Sequence, residues 1–259
     1  MSEKDHLLDL LIHDLTGPVS IVATSTNSLL EKEDRYGPLT SRQRQTLERI
    51  LRNSNKAQAL LLELVETYRS QEGVFNCRNF QISNALKESV MDALETADHT
   101  MASKLLFAKR DDAFFRILEE HGIVIELTGK YCATPFFHDQ KKVQQVLRNL
   151  ISNALKYRRS KITVSVSGDK DLVISVSDDG PGIPKNEQEA VFTRFGGMKT
   201  VPAVEGRKPS GLGFGLSCVK TLVDVMGGEI ALQTEEGVGT RFTVRVPPFN
   251  SIGEKEAVK

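Results

Sequence analysis

The sequence predicts an all-α helical hairpin followed by a mixed α/β domain. Three observations predict it. Residues 4–32 and 41–71 carry apolar residues at helical spacing on either side of a short turn signal, Tyr36-Gly37-Pro38. Beyond Gly73, short alternating strand patterns recur between helical ones. Inside that second part, Val176-Ser177-Asp178-Asp179-Gly180-Pro181-Gly182-Ile183 sets a carboxylate at a strand end, then two glycines, then an apolar side chain.

In the first helix, Leu8, Leu11, Leu15, Val22 and Leu29 recur at alternating spacings of three and four, with Pro18 and Ser25 in the same seam. Pro18 should kink it, because the ring removes one backbone donor and crowds the preceding turn. Thr40 or Ser41 caps the second helix, whose stripe is Leu47, Ile50, Ser54, Ala57, Leu61, Leu64 and Tyr68. A lone hairpin covers only one face of each helix. Two hairpins close a four-helix bundle, so a homodimer through the hairpin is expected.

Residues 74–80 read as a short strand and Gln81 to about Glu120 as mostly helical; no chemical role attaches to residues 96–116. Residues 121–128 read as a strand, and Phe136-Phe137 as a short extended piece before Asp139 caps the next helix. That helix, Lys141 to about Tyr157, buries Val143, Val146, Leu147, Leu150, Ile151, Ala154 and Leu155. Ile162–Val166 with Leu172–Val176, and Gly228–Glu235 with Thr240–Val246, read as two hairpins. Residues 196–210, rich in Gly, Pro and cations, read as a mobile loop.

Four stretches carry candidate chemistry, each with a plainer reading beside it. His13 lies two residues from Leu11 and from Leu15, about 200° around a helix, and so should face solvent. It is a surface histidine or a nucleophile, and Asp14 beside it can orient it or take its proton. Asn149 and Asn153, four apart and followed by Lys156-Tyr157, form a solvated face or a polar groove. In a groove, amide oxygens can hold a hard cation such as Mg²⁺ and the lysine can reach phosphate. Asp178 with Gly180, Gly182 and Ile183 is an ordinary turn or a base site. There the carboxylate accepts from an exocyclic amine and the glycines let a flat ring approach the backbone. Gly211, Gly213 and Gly215, running into Leu216 and a helix, form a linker or an anion-binding helix start.

Composition excludes several classes. The 259 residues hold 34 basic and 34 acidic side chains, so no overall electrostatic footprint for nucleic acid exists. No apolar run reaches membrane-spanning length and no signal-peptide pattern opens the chain. The three cysteines, Cys77, Cys132 and Cys218, have no metal spacing and suit a reducing compartment, so a cytoplasmic location is expected.

In this order, the motifs resemble the transmitter core of a bacterial two-component sensor histidine kinase, over nearly the whole chain. His13–Pro18 resembles the H-box of a HisKA-type dimerisation and phosphotransfer domain. Asn149–Tyr157 resembles the N-box, Asp178–Ile183 the G1 box and Phe192–Phe195 the F-box. Gly211–Leu216 resembles the G2 box, and Gly237–Thr240 the closing glycine motif. The resemblance implies a hairpin domain over residues 1–72, an α/β two-layer sandwich of the GHKL (Bergerat) type over 73–250, and a tail over 251–259. It implies that ATP binds with Asp178 on the adenine amine and Gly182 and Ile183 along the ring. Asn153 would hold Mg²⁺ with Asn149 nearby, Lys156 and Tyr157 would face phosphate, and residues 184–210 would form a lid. His13 would accept the γ-phosphoryl with Asp14 as base, then pass it to an aspartate on a response-regulator receiver domain. Thr16 and Gly17 depart from the family, which has a basic residue and then Thr or Asn there. Gly17 therefore puts the family's route to regulator dephosphorylation in doubt. With twelve residues before His13, the signal is expected from a missing sensor domain or an external partner. Two other readings stay open. One is a non-catalytic phosphotransfer scaffold with a degenerate ATP domain; the other is a different GHKL ATPase or a serine kinase in which His13 is incidental.

Overall fold

The computed structural model describes residues 3–71, 75–108, 111–192 and 215–249. The chain divides into two compact units, Met1–Glu72 and Gly73–Lys259. Among the described residues, no helix is long and apolar enough to cross a membrane.

The first unit consists of α1 (Glu3–Glu31), a short α2 (Glu33–Tyr36) and α3 (Ser41–Gln71), with α1 and α3 packed along one another. Thr40, not Ser41, is the residue that caps α3. Its Oγ1 accepts from the Gln43 N–H at 3.3 Å, while Gln43 Oε1 accepts from the Thr40 N–H at 2.9 Å. This reciprocal box satisfies two donors that a helix start leaves free. Helix α1 continues through Pro18 to Glu31: the proline forfeits a backbone bond but does not end the helix. Where α1 and α3 meet, the buried side chains among the described residues are small, namely Ala23, Thr26 and Ser54, and Gln58 Nε2 donates to Ser20 Oγ at 2.7 Å. Leu15 and Val22, read as seam positions, are 51% and 45% exposed, and Ile21 and Ile50 also face outward. Leu15, Val22 and Ile50 of the apolar stripe are thus left uncovered within one chain.

Gly17 is exposed on α1, and a Cβ built there meets nothing within 4 Å. Gly17→Ala removes backbone freedom from the unfolded chain at no steric cost. It should stabilise the first unit by about 0.5–1 kcal/mol, read by thermal unfolding of the two proteins.

The second unit begins with β1 (Cys77–Phe80), α4 (Ile82–Ala97), α5 (His99–Leu106), α6 (Asp111–Glu120) and β2 (Ile123–Leu127). It continues with β3 (Phe136–Asp139), α7 (Gln140–Tyr157), β4 (Ile162–Ser167), β5 (Leu172–Asp178), α8 (Gly215–Val225), β6 (Glu229–Glu235) and β7 (Gly239–Val246). The main sheet has the order β2-β4-β5-β7-β6, with β2 and β4 parallel and the other neighbours antiparallel; β1 and β3 pair apart from it. Period-two alternation sends Ile162, Val164, Val166, Leu172, Ile174, Val176, Phe242, Val244 and Val246 to one buried face. Helices α4, α7 and α8 supply the other half of that core through Leu86, Val90, Val146, Leu147, Leu150, Val219 and Leu222. This is a two-layer α/β sandwich.

Residues 96–116, given no role by the sequence, hold two helices. Asp98 ends α4 and starts α5, its carboxylate accepting from the Met101 N–H at 3.0 Å. Met101, Leu105, Phe114 and Leu118 join the core, whereas Leu106 and Phe107 face solvent.

Candidate nucleotide-binding site

Helix α7 carries the first half of the candidate site. Asp139 opens it, accepting from the Lys142 N–H at 3.2 Å. All seven residues read as its buried face are buried, which fixes the helix's rotation on the sheet. That rotation leaves Asn149, Asn153, Lys156 and Tyr157 half-buried along one margin. Lys156 Nζ stands 4.6 Å from the centre of the Tyr157 ring.

The head of α8 meets this margin. A Cβ on Gly215 would lie 3.7 Å from Asn153 Nδ2 and 4.0 Å from Asn149 Cγ, so the glycine backbone runs directly past both amides. Asn149 Nδ2 is buried and has no hydrogen-bond partner among the described residues. A buried amide donor left open costs free energy until an acceptor arrives. Leu216, next in α8, is half-buried against the core.

Strand β5 delivers the second half. Its last residue, Asp178, pairs with Ile162 on β4 and Thr240 on β7, so two flanking strands fix its position. Its Oδ1 accepts from the Gly180 N–H at 2.9 Å. Burial pushes the carboxyl up to about 6. The Gly180 N–H draws it back, the Asp179 charge adds to the rise, and the Thr240 N–H opposes it. A Cβ on Gly180 would stand 2.5 Å from Asp178 Oδ1 and 2.6 Å from the Tyr157 carbonyl oxygen. That close approach joins the end of α7 to the Asp178 loop.

Asp179 does a different job from its neighbour. It accepts from the Arg159 N–H at 2.9 Å, from the Ser160 N–H at 3.1 Å and from Ser160 Oγ at 2.6 Å. Burial works upward on this carboxyl too. Hydrogen bonds from the Ser160 hydroxyl and the Lys161, Ser160 and Arg159 N–H groups outweigh it and hold it at about 2. Asp179 thereby pins the start of the loop to the turn after α7. Arg159 Nη1 donates to the Gly237 carbonyl at 2.9 Å, and the Gly237 N–H donates to the Pro181 carbonyl at 2.7 Å. The loop after β5 and the β6–β7 turn are therefore tied together. Ile183 completes the connection, its N–H donating to Thr234 Oγ1 at 2.9 Å while its side chain packs on the core.

Gly182 has φ +73°, and a Cβ there would lie 2.1 Å from the Glu235 carbonyl oxygen, a backbone atom that cannot rotate away. Gly182→Ala combines left-handed strain with that overlap. It should cost about 2–4 kcal/mol of stability, read by urea denaturation, and should loosen the loop that Ile183 anchors.

The structure thus brings Asn149, Asn153, Lys156, Tyr157, Asp178, Gly180, Gly182, Ile183, Gly215 and Leu216 onto adjoining elements of one sandwich. Gly211 and Gly213 lie outside the described residues, as does the whole stretch read as a mobile loop, 196–210. Phe192 is described, and its ring meets Phe242 edge-on at 6.0 Å. His13 and Asp14 lie on α1, but their side chains are outside the described residues. Reasoning from sequence passed over Asp179, Arg159, Ser160 and Thr234 as framing residues. Asp179 had a local signal as the second of two acids in a turn; Thr234 had none, sitting inside an ordinary strand alternation.

Residues 138–250 match the histidine kinase-, DNA gyrase B-, and HSP90-like ATPase family. Over most of its length the chain is similar in sequence to sensor histidine kinases. It is 28% identical over 250 residues to the circadian input-output histidine kinase CikA of Synechococcus elongatus, covering 94% of this chain and 30% of that protein. It is 38% identical over 139 residues to the sensor histidine kinase WalK of Bacillus subtilis, covering 52% of this chain and 20% of that one. Among solved structures, full-length ShkA in complex with AMPPNP matches 93% of this chain and 45% of its own, with TM-score 0.66 and 21% identity, a likeness of fold. The chain spans less than two thirds of the length of the curated relatives it matches.

Proposed function

We propose that this chain is the core of an ATP-dependent protein-histidine kinase, which phosphorylates itself on His13 and passes the phosphoryl group to an aspartate of a response-regulator receiver domain. The observation that carries this reading is the buried Asn149 amide donor beside Gly215, without a partner among the described residues, on the same sandwich as the half-buried Asp178 carboxylate and its glycines. An unfilled donor at one end and an amine-accepting acid at the other suit a purine nucleotide lying between them. The AMPPNP complex of the ShkA structure supports the same ligand class.

In this reading Asp178 accepts from the adenine amine, and Gly182 and Ile183 form the wall along the ring. Lys156 and Tyr157 face the phosphates, and Gly211, Gly213, Gly215 and Leu216 present the start of α8 to them. Asn153, with Asn149 nearby, would hold Mg²⁺, which supplies charge neutralisation on the β- and γ-phosphates. A ring nitrogen of His13 attacks the γ-phosphorus. A P–N bond forms as the bond to the bridging oxygen of the leaving ADP breaks, and Asp14 takes the imidazole proton. The hairpin pairs with that of a second copy, a reading supported by exposed Leu15, Ile21, Val22 and Ile50. A cytoplasmic location and a signal arriving from a sensor domain or partner belong to the same reading.

The test is incubation with γ-labelled ATP and Mg²⁺, followed by acid and base challenge of the product. An acid-labile, base-stable label is expected. Bound ATP with an acid-stable label would favour a serine kinase, ATP hydrolysis with no label a different GHKL ATPase, and no ATP binding the scaffold.

A further inference from the structure

We propose that Thr234 is a positioning residue that dictates which way the Thr240 hydroxyl points, and so sets the preference of the base pocket for a 6-amino over a 6-oxo purine. The inference rests on the adenine-nucleotide reading above and deepens it.

A threonine hydroxyl has one proton to give and two lone pairs to receive. Thr234 Oγ1 lies 3.0 Å from the Gly239 carbonyl oxygen, which can only accept, so the proton of Thr234 is spent there. The Ile183 N–H, which can only donate, approaches Thr234 Oγ1 at 2.9 Å and takes one lone pair. The remaining contact is with Thr240 Oγ1 at 3.1 Å, directly across from Thr234 in the β6–β7 register. With no proton left on Thr234, Thr240 must be the donor.

Thr240 is then left with lone pairs alone for anything else it meets. It is buried, and it stands opposite Asp178 in the β5–β7 register, so the two side chains leave the sheet on one face. Asp178 is an acceptor as a carboxylate, already drawing on the Gly180 and Thr240 N–H groups. The base end of the pocket therefore presents two neighbouring acceptors. A 6-amino group donates and matches them. A 6-oxo group accepts, and would be buried against them unpaired. Removing the Thr234 hydroxyl frees the proton of Thr240 to rotate toward a 6-oxo group, which relaxes the discrimination without touching the nucleotide.

The experiment measures dissociation constants for ATP and GTP by competition against a fluorescent adenine nucleotide, alongside the thermal midpoint of each variant. Thr234→Val keeps the side chain's shape and should narrow the ATP-over-GTP ratio about tenfold. Thr234→Ser restores the hydroxyl and should keep the wild-type ratio. An unchanged ratio in Thr234→Val, or equal narrowing in Thr234→Ser, overturns the proposal. Should Thr234→Val fail to fold, Thr240→Val takes its place: deleting that acceptor should narrow the same ratio, and an unchanged ratio overturns the proposal. Asp178→Asn separates the two levels. If it binds ATP as tightly as wild type, the adenine reading itself falls and this inference with it. If it loses ATP while Thr234→Val keeps the wild-type ratio, only the role of Thr234 fails.

Discussion

His13→Gln is expected to bind ATP as tightly as the parent protein and to take up no label from γ-labelled ATP. Glutamine is polar, fits the helix and keeps α1 intact, but its amide nitrogen is not a nucleophile at neutral pH, whereas a neutral imidazole is. His13 lies in the first compact unit and the nucleotide residues in the second, so the substitution leaves the pocket's framework alone. The loss should therefore be confined to chemistry. Autoradiography after denaturing electrophoresis reads the label, and calorimetry with ATP reads binding. A labelled His13→Gln protein would remove His13 as acceptor. Parallel loss of binding would mean that the substitution acts through folding.

Asp178→Asn should have two effects of opposite sign. It replaces the acceptor aimed at the adenine amine by an amide that can turn its own donor there, so ATP affinity should fall by about 100-fold or more. The free chain should at the same time become more stable. Burial raises the Asp178 carboxyl to about 6, above its value in the unfolded chain. Between pH 4 and 6 the folded chain therefore holds more of that proton than the unfolded one. Its contribution to stability is complete at the acid end of that window and is lost as pH rises through 6. Above pH 6 the native protein carries a desolvated charge that asparagine lacks. The gain on substitution is on the order of 1 kcal/mol, because the side chain is partly hydrated and solvent screens it. Thermal scans from pH 4 to 8 should show the two proteins diverging as pH rises through that window. ATP affinity of the parent should weaken below about pH 6 as the acceptor is protonated. An affinity flat across pH 5–8 would take Asp178 out of the adenine contact.

Legibility in the sequence followed the range of the interactions involved. The β4–β5 and β6–β7 hairpins and the buried face of α7 were readable because period-two and period-3.6 patterns are local and the core enforces them. The Asp139 cap was readable for the same reason. The choice between Thr40 and Ser41 was not, since either side chain can cap and Gln43 decides by answering Thr40. Residues 96–116 resisted because Asp98 interrupts a run that otherwise keeps helical character, dividing it into helices whose apolar faces turn to different parts of the core. Leu15 and Val22 were readable as apolar positions but not as exposed ones, because their spacing says nothing about what covers them. Of the candidate site, the residue types proposed to face a ligand stood out by chemistry. The framing contacts did not: Asp179 with Ser160, Arg159 with Gly237 and Ile183 with Thr234 all join residues far apart in the chain, and they exist only once the strands are in register.

The pairing of β5 with β7, rather than with the strand that follows it in sequence, has a consequence for what lies between them. Asp178 and Thr240 are held opposite one another by ladders on both sides, while the chain from one to the other makes a long excursion that includes α8. Closing such an excursion costs conformational entropy that grows only with the logarithm of its length, about 0.6 kcal/mol for each doubling. Loop-closure entropy alone therefore sets little penalty on a change in the length of the connection between β5 and β7. Asp178 and Thr240 are bound by strand register and cannot drift apart, whatever the length of the chain that joins them.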